Sequence, residues 1–282
     1  MIFPDLAGLF TKMTVYAGRF ADEAAAAGFA AGLRRQFISV WTLITGIPVP
    51  RKLCPQNFAL PTADAVTLMP VAGGLFGALA TVVPALSVWA GLPDPAAAWF
   101  ACGLYTVLGW GLHLDGWGDL WDGFGSGRRG DELRRVMKDP GTGVFGVAGI
   151  VLALAARASL LPEGGGAHWL TVCALGGSVG RFGGTVAACV GKYPWEKGMA
   201  RDIVRGFGGY QLFRSFVFTC LMFPLAPFAW IAGMILSAAA AAALAAWANG
   251  RLGGVNGDVI GASSVLGELL TLAASDIYIA GH

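Results

Sequence analysis

Charge is scarce in this sequence. Only 13% of its 282 residues are Asp, Glu, Lys or Arg, against about 25% in an ordinary soluble domain. With 56% hydrophobic residues and a mean hydropathy of +0.64, the chain has too little polar surface to cover itself, and lipid is the solvent it fits. Net charge is small as well, +2, which excludes the strongly basic surface that nucleic acid requires. The five cysteines (Cys54, Cys102, Cys173, Cys189 and Cys220) are scattered, mostly in apolar runs, without CxxC or CxxxC spacing. Neither a zinc site nor a disulfide framework is expected. Period-two alternation is missing too, which excludes a lipid-facing barrel and leaves helices. The first residues, MIFPDLAGLF, lack a basic leader before an apolar core, so no cleavable signal is expected.

What the chain does have is long apolar runs rich in Ala and Leu. They fall at 66–90, 97–114, 144–161, 168–190, 214–231 and 233–249, each near the ~20 residues that a helical span needs. A shorter run at 259–275 reads as a seventh span or a re-entrant piece. The expected fold class is all-α, a polytopic transmembrane helical bundle of about six to seven spans. The run from Phe37 to Ile47 is too short to cross and is expected at the interface or dipping into the membrane. Residues 1–36 form an N-terminal extension with loose helical spacing of Leu6, Leu9, Phe10, Met13 and Phe20, which suits an interfacial helix. Residues 37–282 read as a single membrane-embedded catalytic domain, since no repeat or linker divides them.

The basic residues orient the chain. They cluster at Arg34, Arg35, Arg51 and Lys52; at Arg128, Arg129, Arg134, Arg135 and Lys138; at Lys192, Lys197, Arg201, Arg205 and Arg214; and at Arg251. The connections at 91–96 and 162–167 carry none. Two apolar runs separate each basic region from the next, so all four lie on one side, and the positive-inside bias makes that side cytoplasmic. The expected location is therefore the bacterial cytoplasmic (inner) membrane, multi-pass, with the active site facing the cytoplasm. Glycine makes up about one residue in seven, double its usual share. Gly73, Gly74, Gly77, Gly176, Gly177 and Gly180 suit close approach of helix backbones.

Acids are rare enough to be informative. In GWGLHLDGWGDLWDGFGSG, residues 109–127, Asp115, Asp119 and Asp122 recur at i, i+4, i+7 and share one helical face beside His113. Like charges so placed repel one another, and a carboxylate at a helix centre in lipid costs roughly 3 kcal/mol. A divalent cation would offset both costs, and oxygen-only donors favour Mg²⁺, Mn²⁺ or Ca²⁺ over zinc. Asp258 and Glu268 stand beside or within a later apolar run, after a turn at Asn256 and Gly257. Glu268, an acid inside the membrane, calls for a partner and for the bundle interior. Arg181 lies in an otherwise apolar span, as a partner for a buried acid or a phosphate contact, and Arg157 is expected to snorkel.

Three segments in this order resemble the cobalamin synthase family, also called adenosylcobinamide-GDP ribazoletransferase. They are GLHLDGWGDLWDG at 111–123, MKDPGTGVFG at 137–146 and GGVNGDVIGASSVLGE at 253–268. The runs ITGIPVP at 44–50 and MPVAGGLFGA at 69–78 are similar to it as well, and the likeness covers roughly 37 to 275. Gly46, Pro140-Gly141 and Asn256 depart from that family's usual residues. The resemblance implies transfer of a substituted phosphate group. A ribose hydroxyl of α-ribazole, or of its 5′-phosphate, would attack the cobinamide-bearing phosphorus of adenosylcobinamide-GDP with release of GMP. For that reaction we expect Asp115, Asp119 and Asp122 to hold Mg²⁺ and Asp258 to complete the site or act as base, roles that the family likeness does not itself fix. His113 is a second candidate base; Arg181, Lys138, Asn256 and Glu268 are candidate substrate-binding residues. Both substrates and membrane lipid are expected partners; a homo-oligomer and association with pathway enzymes are left open. A cation-coupled transporter is an alternative, but would favour acids nearer mid-membrane. A CDP-alcohol phosphotransferase-like lipid enzyme is another, yet Asp115-Gly116 is followed by Trp117, Gly118 and Asp119 rather than by an Ala-Arg pair.

Overall fold

Lipid offers the backbone no outside hydrogen-bond partner, and the chain answers with helices throughout. The computed structural model describes residues 6–26, 28–54, 61–161, 163 and 165–280. The helices are α1 (Leu6–Ala25), α2 (Phe29–Ile44), α3 (Ala63–Val66), α4 (Met69–Trp89), α5 (Asp94–Leu108), α6 (Leu112–Ser126) and α7 (Gly130–Val136). They continue with α8 (Val144–Ser159), α9 (Ala167–Val190), α10 (Arg201–Gly206) and α11 (Gly209–Thr219), then a 3-10 turn (Cys220–Leu225), α12 (Pro227–Arg251) and α13 (Gly257–Ala280).

Among the described residues, α4, α9, α12 and α13 are each long and apolar enough to cross a membrane, and α5 with α6 makes a fifth span if that bent pair counts as one. The chain is a multi-pass helical bundle, with α9 as its axis: 94% of its apolar window is buried, and α4, α12 and α13 pack around it. Glycine permits the closeness. A side chain on Gly73 would collide with the carbonyl of Gly177, and one on Gly177 with the carbonyl of Gly73, so α4 and α9 touch backbone to backbone.

Two boundaries differ from the sequence reading. The run at 97–114 is not one straight helix: the chain breaks after Leu108 and turns by 95° into α6. Trp110 and Gly111 make the turn with φ of 55° and 62°, a left-handed pair that ends α5 and starts α6 in a new direction. The runs at 214–231 and 233–249 also divide differently. Pro224 and Pro227 interrupt the first, Ala226 between them is extended (φ −160°, ψ 84°), and α12 then runs unbroken to Arg251. The run at 259–275 lies within the full-length helix α13. α2 dips inward at its end, where the Gly46 N–H donates to the Leu108 carbonyl at 2.6 Å beside the break.

Three of the four basic regions come together in three dimensions. The Val255 N–H donates to the Lys192 carbonyl at 2.8 Å, the Lys192 N–H to the Asn249 side chain at 3.1 Å, and the Arg134 guanidinium stacks on Trp195. Three basic connections thus gather at one end of the bundle. Gly165 and Gly166 lie beside Val88 and Trp89 at the other end. α1 lies against α11, with Tyr16 on Tyr210, Phe20 on Phe218, and Glu23 reaching Arg214 at 3.7 Å. We expect single-cysteine variants at Arg51, Arg128 and Arg201, in a background lacking the exposed Cys54, to react with an impermeant thiol reagent only from the cytoplasmic side. A variant at Glu163 should react only from the opposite side. Labelling of the position-128 variant together with the position-163 variant would refute this arrangement.

Candidate functional site

The acidic face of α6 meets the start of α13. The contact is possible because residue 116 is glycine: a side chain there would fall on the backbone of Asp258. Asn256 caps α13, its Oδ1 accepting the Val259 N–H at 3.1 Å, while its Nδ2 donates to the Asp258 carboxylate at 2.6 Å. Asp119 lies within electrostatic reach of Asp258, Asp115 and Asp122, and Asp258 within reach of Asp115 and of the ammonium of Lys138. Asp115 is exposed, and Asp119 and Asp258 are partly buried. The structure therefore joins four acids from two distant stretches of sequence.

Asp122 has a further task. Its two oxygens accept the backbone N–H groups of Gly143 (2.7 Å) and Gly146 (2.8 Å). Those are free donors at the start of α8, where a carboxylate also meets the positive end of the helix dipole. The 137–146 stretch thus docks on α6 through Asp122. Trp117 fastens the same pair of helices lower down, its indole N–H donating to the Gly149 carbonyl at 2.9 Å.

A basic and aromatic rim borders the acids. Arg134 lies 4.6 Å over the Trp195 ring, Arg205 donates to the carbonyls of Tyr193 (3.3 Å) and Trp195 (3.1 Å), and Tyr193 packs edge-on against Trp195. Burial holds the Tyr193 phenol above its ordinary range, against the pull of Arg134, Arg205 and Arg201 and with a small push from Asp258. Sequence reasoning used these arginines only to orient the chain. Two aromatics, Tyr193 and Trp195, inside a basic connection were the signal for more.

Deeper in the bundle, Glu268 is buried, and its carboxylate takes the guanidinium of Arg181 at 2.5 Å, the Tyr105 hydroxyl at 2.6 Å and the guanidinium of Arg157. Glu268 faces the interior and pairs with Arg181. Arg157 does not snorkel: it is 5% exposed, because a buried acid lies within its reach. Arg181 and Glu268 stand apart from the carboxylates of α6 and line a neighbouring cavity with His113. His113 also borders a second cavity, which opens toward Asp115 and Asp258. His113 is thus the link between the two regions.

Comparison with known proteins now bears on this geometry. The family model for cobalamin-5-phosphate synthase matches residues 36–275. The chain belongs to that family. Among similar curated proteins are the adenosylcobinamide-GDP ribazoletransferases of Citrobacter koseri and Klebsiella pneumoniae. The first is 28% identical over 247 residues, covering 86% of this chain and 99% of the relative. The second is 29% identical over 248 residues, covering 85% and 98%. No solved structure matches the chain. α1 and most of the extension precede the matched region, while α2 runs across its start.

The donor set in this family member suits a hard cation. Among the described residues, no three acidic, histidine or cysteine side chains converge as a complete metal cage would. Mg²⁺ needs no such cage, since one or two carboxylates with water and substrate phosphates suffice. Asp115 and Asp119 are the carboxylates free for that role, whereas Asp122 is committed to α8.

The ion cluster yields a ranking of stabilities. Removing Glu268 leaves two buried guanidinium groups without a counter-ion, a loss on the order of 3–5 kcal/mol. Removing Arg157 leaves Glu268 and Arg181 as a neutral pair. Glu268→Ala should therefore lower the unfolding temperature in detergent well below that of Arg157→Met. Equal unfolding temperatures, or the reverse order, would contradict the assigned pairing.

Proposed function

We propose that this chain is an adenosylcobinamide-GDP ribazoletransferase of the inner membrane, with its site facing the cytoplasm. It joins adenosylcobinamide-GDP to α-ribazole, or to α-ribazole 5′-phosphate, giving adenosylcobalamin or its 5′-phosphate and releasing GMP. The observation that carries the reading is one contact: Asp258 of α13 set against Asp115 and Asp119 of α6, beneath a rim of Lys138, Arg134, Arg201 and Arg205.

The rim's positive charges suit the diphosphate of adenosylcobinamide-GDP, and Arg134 and Arg205 are already braced by Trp195. Asp258, held by Asn256, would accept the proton of the attacking ribose hydroxyl. The hydroxyl oxygen bonds to the phosphorus carried by cobinamide, the bond from that phosphorus to GMP breaks, and GMP leaves with the electron pair. Mg²⁺ bound by Asp115 and Asp119 would supply charge neutralisation at the diphosphate. The chain's own contribution is to position two large reactants and exclude competing hydroxyls. A cation-coupled transporter is disfavoured because Glu268, the one acid deep in the bundle among the described residues, is already neutralised by two arginines. A lipid-making CDP-alcohol enzyme is disfavoured by family membership.

Asp115→Asn, Asp119→Asn and Asp258→Asn should insert and fold but lose GMP release by a factor on the order of 100 or more. EDTA should abolish turnover, and Mg²⁺ should restore it. Asp122→Asn, which keeps one acceptor for two backbone donors, should lower the unfolding temperature as well as the rate. Full-rate GMP release in EDTA, or activity retained in all three variants of the α6–α13 acids, would overturn the mechanism.

A further inference from the structure

The second cavity beside His113 has a volume of about 200 Å³ and lies at the end of the bundle where the basic connections gather. Its walls come from five different parts of the chain. Leu112 of α6, Ile260 of α13, Ile203 of α10 and Met199 just before it are apolar, as are Leu43 of α2 and Met69 of α4. Polar side chains occur in its lining as His113, Asp115 and Asp258, and neither Lys nor Arg contributes to it. The arginines and Lys138 stand outside, on the rim.

Charge therefore divides the two reactants. No Lys or Arg stands inside the cavity, and the cation that Asp115 would hold belongs to its mouth, so the nucleotide-bearing substrate belongs at the mouth and rim. An uncharged, flat, apolar ring system with hydroxyls at one end has the opposite character. Its ring is driven from water into the Leu, Ile and Met walls, and its hydroxyls reach acceptors at the Asp115 and Asp258 mouth. The space suits a fused bicyclic base and is far too small for a corrin macrocycle. We infer that this cavity is the nucleoside subsite. It takes the benzimidazole base of α-ribazole between Met199, Ile203 and Leu112, and presents the ribose hydroxyl to Asp258. The assignment rests on the transferase reading above and deepens it by separating the two substrates in space.

The walls also set selectivity. Away from the acidic mouth His113 is the one polar side chain in the lining, too few partners for both the exocyclic amine and the ring nitrogens of a purine, whose polar edge would stay partly unpaired. Benzimidazole nucleosides should be preferred over adenine nucleosides of the same linkage.

The test uses the purified full chain in detergent or lipid, with Met199→Gln and Ile203→Asn in the wall and Arg201→Ala on the rim. Wall variants should raise the KM for α-ribazole on the order of 10-fold and leave the KM for adenosylcobinamide-GDP unchanged; the rim variant should do the reverse. Ile203 is buried, but Met199 is 57% exposed, so Met199→Gln carries the test if Ile203→Asn fails to fold. A rise in the KM for adenosylcobinamide-GDP in the wall variants, or no change in either KM, would overturn the assignment. Equilibrium binding of α-ribazole alone separates this inference from its parent. Binding that the wall variants weaken, in a wild-type chain that releases no GMP, would sink the transferase reading and keep the cavity. Turnover with wild-type α-ribazole binding in both wall variants would sink the cavity and keep the reading.

Discussion

Glu268 is the residue on which the rest of the arrangement depends. A lone carboxylate this deep in lipid would be too costly to keep charged. Here it gathers Arg181 from α9, Arg157 from α8 and Tyr105 from α5 onto α13. Four helices are thereby fixed to one another at a single point. The Tyr105 ring also lies 3.7 Å from the Arg157 guanidinium, which spreads the excess positive charge over an aromatic face. Such clusters add little net stability compared with apolar packing, but they specify which helix faces meet.

That specification matters at the end of α13. Asp258 lies ten residues, nearly three turns, before Glu268 on the same helix. Sliding α13 by one turn against α9 would carry Asp258 about 5.4 Å away from Asp115 and Asp119. The ion cluster inside the bundle and the acids at its end are two ends of one rigid element. The glycine contacts support the same register: Gly116 admits the backbone of Asp258, and Gly180 admits that of Ser264 and Glu268. Positive and negative charges can then sit side by side, because each set hangs from a different pair of helices or loops.

Much of this was legible in the sequence because lipid makes polar residues conspicuous. Three aspartates at i, i+4, i+7 had to share a face, and they do on α6. Glu268 had to find a partner, and Arg181 was the nearest available cation in an apolar span. The spacing of basic regions pointed to a shared side, and three of the four do gather at one end. Other features depend on contacts between distant segments and leave no local mark. Nothing near Asp122 says that its oxygens will cap a helix that begins twenty-two residues later. Arg157, near a helix end, looked free to reach the interface, and only the depth of Glu268 decides otherwise. The break at Trp110 was hidden because glycines at 109 and 111 are equally at home in a straight apolar helix. Pro224 and Pro227 were visible, yet composition alone did not say that the apolar run would stop at them.

The central claim is that the buried ion cluster holds α13 in the register that brings Asp258 to α6. It is tested most directly by cross-linking His113→Cys to Gly261→Cys, in a chain whose own cysteines have been replaced by alanine. A side-chain carbon added at 261 lies 3.3 Å from the His113 Cα, within disulfide reach across the α6–α13 contact. With Glu268 intact the disulfide should form rapidly and in high yield. In the Glu268→Gln background, which keeps size and hydrogen bonding but removes the charge, the yield should fall several-fold. An unchanged yield and rate in that background would contradict the claim and leave the register of α13 to glycine packing alone.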